Sequence, residues 1–228
     1  MGFALFSVST IVRPLTAGFF LPPSENGANK TAGNRNTLGR GTKQKMLLAA
    51  KSAASNASFL TAMSTNSLLL FDFSSSLDWS GWAIQNDVVM GGKSSSDLSR
   101  SNEGNAVFTG DISLRNNGGF ASLHYQFTPK DIRGYESAVI RLKGDGKEYQ
   151  FRIKAGLNER ASYIHTFNTS GEWQTIEIPL NKMEPSYRGN KLNQPNFNAN
   201  QMQEVRFLIG NGKAENFRLE IAKLALQG

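Results

Sequence analysis

The sequence predicts an all-β protein, an antiparallel jelly-roll β-sandwich, over residues 63–228. Three observations predict it. Apolar residues recur with a period of two from Leu68 onward, which is typical of half-buried strands. Turn-forming Gly, Asn and Asp divide about ten short runs, and no regular alternation of strands with helices is present. A body of this size can bury roughly 70% of its unfolded surface, enough for one core.

The first half of the body is predicted to contain short strands separated by glycines. We expect strands at residues 68–73 and 121–127, and a pair at 106–109 and 112–114 on either side of Gly110. Residues 138–143 and 149–154 flank Gly144-Asp145-Gly146. Because Asp-Gly between alternating runs is a strong turn signal, these two strands are expected to form a hairpin.

The second half continues the same pattern with one long interruption. Strands are predicted at 163–167, 173–180, 205–209 and 217–221. Residues 181–200 contain Pro185, Pro195 and several asparagines, so they are predicted to form a long irregular surface loop. Trp79, Trp82 and Trp173 are expected to anchor the core or its rim.

Residues 1–62 are predicted to be a leader outside the working domain. They contain seven basic residues and one acidic residue, and so account for most of the formal charge of +7. A segment that is rich in basic residues and in Ser and Thr, and poor in acidic residues, is typical of an organelle presequence. The open alternative is that translation starts at Met63. The first interpretation predicts a mitochondrial protein, or a plastid one, and the second a cytoplasmic protein.

The composition argues against several classes of function. The body has 18 basic and 17 acidic residues, too even a balance for a nucleic-acid-binding domain. No cysteine is present and the only histidines are His124 and His165, so the sequence offers no Cys-based or His-rich metal site. No run approaches the length of a transmembrane segment. Without a recognised catalytic motif, we predict no enzyme activity, no cofactor and no bound metal.

Residues 86–94 are the most constrained stretch of the chain. Asn86 and Asp87 can hydrogen-bond nearby backbone, and Gly91-Gly92 permits a positive φ or a close approach. Two interpretations of Asp87 stay open. If its side chain serves a partner, alanine there leaves the stability unchanged; if it satisfies buried loop backbone, alanine costs about 1–3 kcal/mol.

This stretch, Asn-Asp-Val-Val-Met-Gly-Gly-x-Ser, resembles the characteristic sequence of the complex I intermediate-associated protein 30 family. Further blocks of the same family follow in order, at residues 108–113, 117–122, 171–173, 185–189 and 207–210. The resemblance extends over about residues 68–226. It implies a galactose-binding-domain-like jelly roll and a non-catalytic, chaperone-like assembly factor for NADH:ubiquinone oxidoreductase.

The resemblance implies protein partners, namely assembly intermediates of that complex, and contact with a membrane only through the partner. Carried over by position, it predicts a shared partner-binding surface made of Asn86, Asp87, Met90, Gly91, Gly92, Ser94, Asn117, Gly118, Gly119, Tyr187 and Arg188. The alternative function is a carbohydrate- or small-ligand-binding jelly-roll module, which would use exposed aromatics such as Trp82 or Tyr187.

Overall fold

A computed structural model describes residues 66–228, except for the side chains of Val89 and Met90. The predicted leader, residues 1–62, lies outside the described residues. The strands are β1 Ser67–Asp72, β2 Trp82–Asn86, β3 Ser95–Arg100, β4 Ala106–Ile112, β5 Ala121–Asp131, β6 Ser137–Lys143, β7 Glu148–Lys154, β8 Ser162–Asn168, β9 Trp173–Pro179, β10 Glu184–Tyr187, β11 Asn190–Lys191, β12 Gln201–Ile209 and β13 Glu215–Gln227. Short 3-10 turns occur at Asp87–Met90, Arg115–Asn117 and Leu180–Lys182.

The strands form two antiparallel sheets. One has the order β3-β4-β13-β6-β9, with β1 also paired to β13. The other is seven-stranded, in the order β11-β10-β8-β7-β12-β5-β2. Because most consecutive strands change sheets, the chain winds between the two layers as a jelly roll does. The predicted fold class is confirmed.

Strand β13 organises the first sheet. Its first half pairs with β4, its second half pairs with β1, and its other edge pairs with β6. Ser67 is opposite Gln227, so the first and last strands are neighbours.

One apolar core lies between the sheets. The inward residues of β7 and β12, such as Phe151 and Phe207, have no exposed surface. Trp82 is also buried, and its ring stacks on that of Tyr125 with centroids 5.1 Å apart. Trp82 is therefore a core residue and not the exposed aromatic that a sugar-binding face would require. Trp173 lies at the sheet edge, half-buried, with the Arg141 guanidinium 5.3 Å from its ring centroid.

The strand pairing differs from the sequence prediction at one connection. The strands around Gly144-Asp145-Gly146 do not form a hairpin, because β6 lies in the six-stranded sheet and β7 in the other. The chain does turn at these residues, but the turn carries it from the six-stranded sheet to the seven-stranded sheet. Asp145 stabilises that crossing, since its carboxylate accepts hydrogen bonds from the Tyr149 hydroxyl (2.9 Å) and the Arg218 amide (3.0 Å).

Three other sequence predictions need correction. Gly110 does not divide two strands but lies inside β4, where it passes close to the backbone of Ser95 in the neighbouring strand. The segment 181–200 contains β10 and β11 and is only partly loop. Strands β2 and β3 were not predicted, because β2 is only five residues long and β3 has a single apolar residue, Leu98.

Candidate functional site

The Asp87 side chain is buried beneath two loops. It follows β2 directly and is 1% exposed. Its Oδ1 accepts the Ser94 amide at 3.0 Å, and its Oδ2 accepts the Ser94 hydroxyl. Oδ2 also accepts the amides of Gly119 (2.6 Å) and Phe120 (3.2 Å) from the loop that leads into β5. One carboxylate thus joins two loops distant in sequence, and we call this arrangement the Asp87 clasp.

The hydrogen bonds of the clasp keep Asp87 ionised. Burial by itself would raise the pKa of the carboxyl. The Ser94 hydroxyl and the three backbone amides outweigh that effect, so the pKa of Asp87 lies below its ordinary value. The charged form is therefore the one that the fold selects.

Two glycines leave room for the clasp. A Cβ on Gly92 would overlap the Asp87 carboxyl, and a Cβ on Gly118 would lie 2.6 Å from Asp87 Oδ2. Gly91 has a positive φ of 88°, and its carbonyl accepts the Asn116 side-chain amide at 3.0 Å. The Gly91-Gly92 pair is explained by loop closure around a buried charge.

Next to the clasp, the outer face of the seven-stranded sheet forms a cleft of about 680 Å³. Strand register aligns Gln85, Ser122, Leu208 and Gln150 in one row across β2, β5, β12 and β7. The residues that line the cleft are Gln85, Gly119, Phe120, Gln150, Arg152, Arg188, Gly189, Arg206, Leu208 and Gly210. Gly119 and Phe120 form part of the rim of this cleft, and their amides are held in place by the Asp87 carboxylate of the clasp.

Two arginines lie side by side on the cleft floor. Arg152 of β7 is directly opposite Arg206 of β12. Arg206 contacts the Glu204 carboxylate at 3.0 Å and donates to the Gln85 side chain at 2.7 Å. Arg152 donates to the neutral Gln150 side chain, at 2.6 and 3.0 Å.

The pKa values of two groups that neighbour Arg206 are lowered by burial and by the charge of Arg206. Burial, followed by the nearby charge of Arg206, lowers the pKa of Arg152 to about 10. Burial and Arg206 likewise lower the pKa of His124, the neighbour of Arg206 in β5, although Glu204 partly opposes them. Arg152 remains charged at neutral pH, in a locally positive environment.

A third arginine reaches the cleft from the β10–β11 hairpin. Arg188 is exposed, has a positive φ of 49°, and lies 5.3 Å from the Tyr187 ring centroid. The Arg160 guanidinium lies 4.4 Å from the same ring. The Tyr187 ring thus contacts two arginines, of which Arg188 lines the cleft.

The structure brings only some of the predicted site residues together at the surface. Gly119 and Arg188 line the cleft. Asp87, Gly92 and Ser94 are buried, and Gly118 packs against the clasp. Asn86 accepts the Ser96 hydroxyl at 2.7 Å, whereas Gly91 and Asn117 are exposed near the clasp. The Met90 side chain lies outside what the structure describes.

Sequence reasoning missed most of the cleft floor, including Gln85, Arg152, Arg206 and Leu208. A signal for them existed. Gln150 and Arg152 alternate with apolar residues in β7, and Arg206 separates Val205 from Phe207 in β12. Alternation assigns these side chains to the outer face, but it does not show that β7 and β12 are neighbours.

Comparison with known proteins identifies the family. The family model for complex I intermediate-associated protein 30 matches residues 71–221, from β1 into β13. The chain belongs to this family. Membership connects it, at the level of the complex I intermediate-associated protein 30 family, with complex I assembly. The comparison with curated proteins found no match.

Similar solved structures share the fold. A family 11 carbohydrate-binding module from Clostridium thermocellum, in complex with a beta-1,3-1,4-mixed-linked tetrasaccharide, is 17% identical with a TM-score of 0.56, covering 72% of this chain and 97% of that one. An agarase is 13% identical with a TM-score of 0.51, covering 72% of this chain and 25% of that one. At such identities the likeness extends to the jelly roll alone.

Two further findings concern residues 66–228 only. No three His, Cys, Asp or Glu side chains in this region come together in a group that could hold a metal ion. No helix in it is long and apolar enough to span a bilayer.

Proposed function

We propose that this protein is a non-catalytic, chaperone-like assembly factor that binds assembly intermediates of NADH:ubiquinone oxidoreductase. The observation that carries the proposal is the family match over residues 71–221, which includes nearly the whole described sandwich. The proposed partners are proteins, and the proposal requires neither nucleic acid nor a cofactor.

The geometry supports a binding role. The Asp87 clasp fixes the Gly119-Phe120 loop beside a cleft whose floor is formed by strands β12 and β7. Binding surfaces of this kind, with loops held by a rigid scaffold, are suited to recognition because they lose little entropy when they bind.

The compartment follows from the two interpretations of residues 1–62. We propose a mitochondrial location if they act as a presequence, with a plastid as the variant of that interpretation. A start at Met63 corresponds to a cytoplasmic protein. Mass spectrometry of the mature N-terminus distinguishes the two starts.

Deleting the gene tests the assembly role. We expect fully assembled complex I to decrease on native gels, subcomplexes to accumulate, and the intact chain to restore the complex. The amount of ATP synthase on the same gels is the control for general loss of membrane proteins. Unchanged complex I in the deletion strain would contradict the proposal.

The alternative of a carbohydrate- or small-ligand-binding module is favoured by one observation, the cleft on the outer face of the sheet. Among the described lining residues only Phe120 is aromatic, and Trp82 is buried. A glycan array probed with the full chain separates the two functions. The assembly factor is expected to give no sugar-dependent signal.

A further inference from the structure

The charge balance of the cleft floor is incomplete. Like charges directly opposite each other on neighbouring strands are unfavourable, and Arg152 and Arg206 are such a pair. Glu204 is the only carboxylate that contacts either guanidinium among the described residues. Arg152 has the neutral Gln150 amide as its side-chain acceptor. The two recessed guanidinium groups are therefore accompanied, in the described part of the chain, by one carboxylate, that of Glu204, which of the two arginines contacts Arg206 alone.

The rest of the cleft adds positive charge. Its lining includes a third arginine, Arg188, and no acidic residue among the described positions. This excess is local, because the body as a whole holds 18 basic and 17 acidic residues. Since partly buried charges are less screened than exposed ones, an anionic group here gains more than it would on an open surface.

The shape of the cleft favours an extended ligand. The row from Gln85 to Gln150 crosses four neighbouring strands, which corresponds to about 14 Å at the usual strand spacing. About four residues of extended peptide cover that length. Phe120 and Leu208 provide apolar contacts beside the arginines, so acidic and apolar side chains on one strand could both be accommodated.

Resting on the assembly-factor role, we propose that this cleft is the partner-binding site and takes an extended acidic segment of about four residues from the partner protein. Its Asp or Glu carboxylates pair with Arg152 and Arg206, and Arg188 closes over the segment from the rim. Carboxylate–guanidinium pairs supply both the attraction and the orientation. The scarcity of aromatic rings in the lining favours this occupant over a neutral sugar.

Peptide binding tests the site directly. The probe is a fluorescein-labelled hexapeptide, Glu-Leu-Glu-Leu-Glu-Glu, titrated with the full-length protein by fluorescence anisotropy, and its glutamine counterpart is the control peptide. We expect the acidic peptide alone to bind, with an affinity that falls as salt rises. Arg152→Gln should weaken it about tenfold or more, as loss of a charge-assisted hydrogen bond implies.

Arg133→Gln is the matched control, because it removes the same charge from an exposed side chain just after β5. It should bind like wild type. Thermal melting of each variant separates lost binding from lost fold. If Arg152→Gln does not fold, Arg188→Gln on the exposed hairpin replaces it and is expected to weaken binding in the same direction.

Three results would overturn the inference: equal binding of both peptides, unchanged affinity in the folded arginine variants, or binding of inorganic phosphate with no binding of the acidic peptide. Expression of an Arg152→Gln/Arg188→Gln chain in the deletion strain separates this inference from the assembly role. Full rescue of complex I by that chain overturns the cleft assignment and leaves the assembly role standing. Normal complex I in the deletion strain itself contradicts the assembly role, whatever the peptide result.

Discussion

At the scale of single residues, Asp87 joins two loops that are far apart in sequence. Asp87→Ala removes the acceptor of three backbone amides and the Ser94 hydroxyl. We expect the free energy of unfolding to fall by about 1–3 kcal/mol, the cost of leaving buried donors unpaired. Urea denaturation measures it. Asp97→Ala, at an exposed position in β3, is the control and should change little.

The same carboxylate predicts a response to acid. Because the pKa of Asp87 is lower in the folded state than the ordinary 3.8, its contribution is present above that value. It is lost as pH falls from about 4 through the folded pKa. We expect the wild-type free energy of unfolding to decrease more steeply on acidification than that of Asp87→Asn. Parallel pH profiles for the two proteins would contradict the assignment.

Gly92 offers a steric test of the clasp. In Gly92→Ala the new methyl group overlaps the Asp87 carboxyl, which must move away from its amide donors. We expect a loss of about 1–3 kcal/mol, typical of overpacking at a buried site. Gly156→Ala is the control, because its nearest neighbour is a flexible Glu159 side chain at 3.3 Å. Equal melting temperatures for the two variants would argue against a tight clasp.

At the scale of elements, the β6–β7 connection depends on Asp145. Its carboxylate ties the crossing to Tyr149 in the core and to the β13 backbone at Arg218. We expect Asp145→Ala to cost about 1–2 kcal/mol. Because Tyr149→Phe removes the same hydroxyl bond, the double variant should cost less than the sum of the single ones. A double-mutant cycle by urea denaturation checks this, and strict additivity would contradict it.

This connection also shows what the sequence could predict. Alternation located β7, β8, β9 and β12, because burial acts on each strand separately, and in β7 the alternate residues Tyr149, Phe151 and Ile153 are buried. Sheet membership depends on contacts between distant strands, so the hairpin at Asp145 was predicted wrongly. Arg152 and Arg206 are 54 positions apart in sequence, and only the fold makes them neighbours. The predicted site therefore contained the rim of the cleft and missed its floor.

At the scale of the whole molecule, the two sheets share one core and should unfold together. Trp79 and Trp82 lie beside Phe73 at the core, whereas Trp173 lies in β9 at the edge of the six-stranded sheet. We expect urea transitions followed by fluorescence and by far-UV circular dichroism to coincide, both in Trp173→Phe and in Trp79→Phe/Trp82→Phe. Separate midpoints for the two probes in one variant would indicate that the layers unfold independently.

The pairing of Ser67 with Gln227 also has a practical consequence for binding experiments. Both ends of the sandwich emerge from the six-stranded layer, while Arg152 and Arg206 face outward from the opposite layer. When the chain is immobilised through Gly228 on a sensor surface, the cleft that contains Arg152 and Arg206 therefore faces the solution. A fluorescent donor attached at Gly228 would also lie on the layer opposite to the one that binds the peptide.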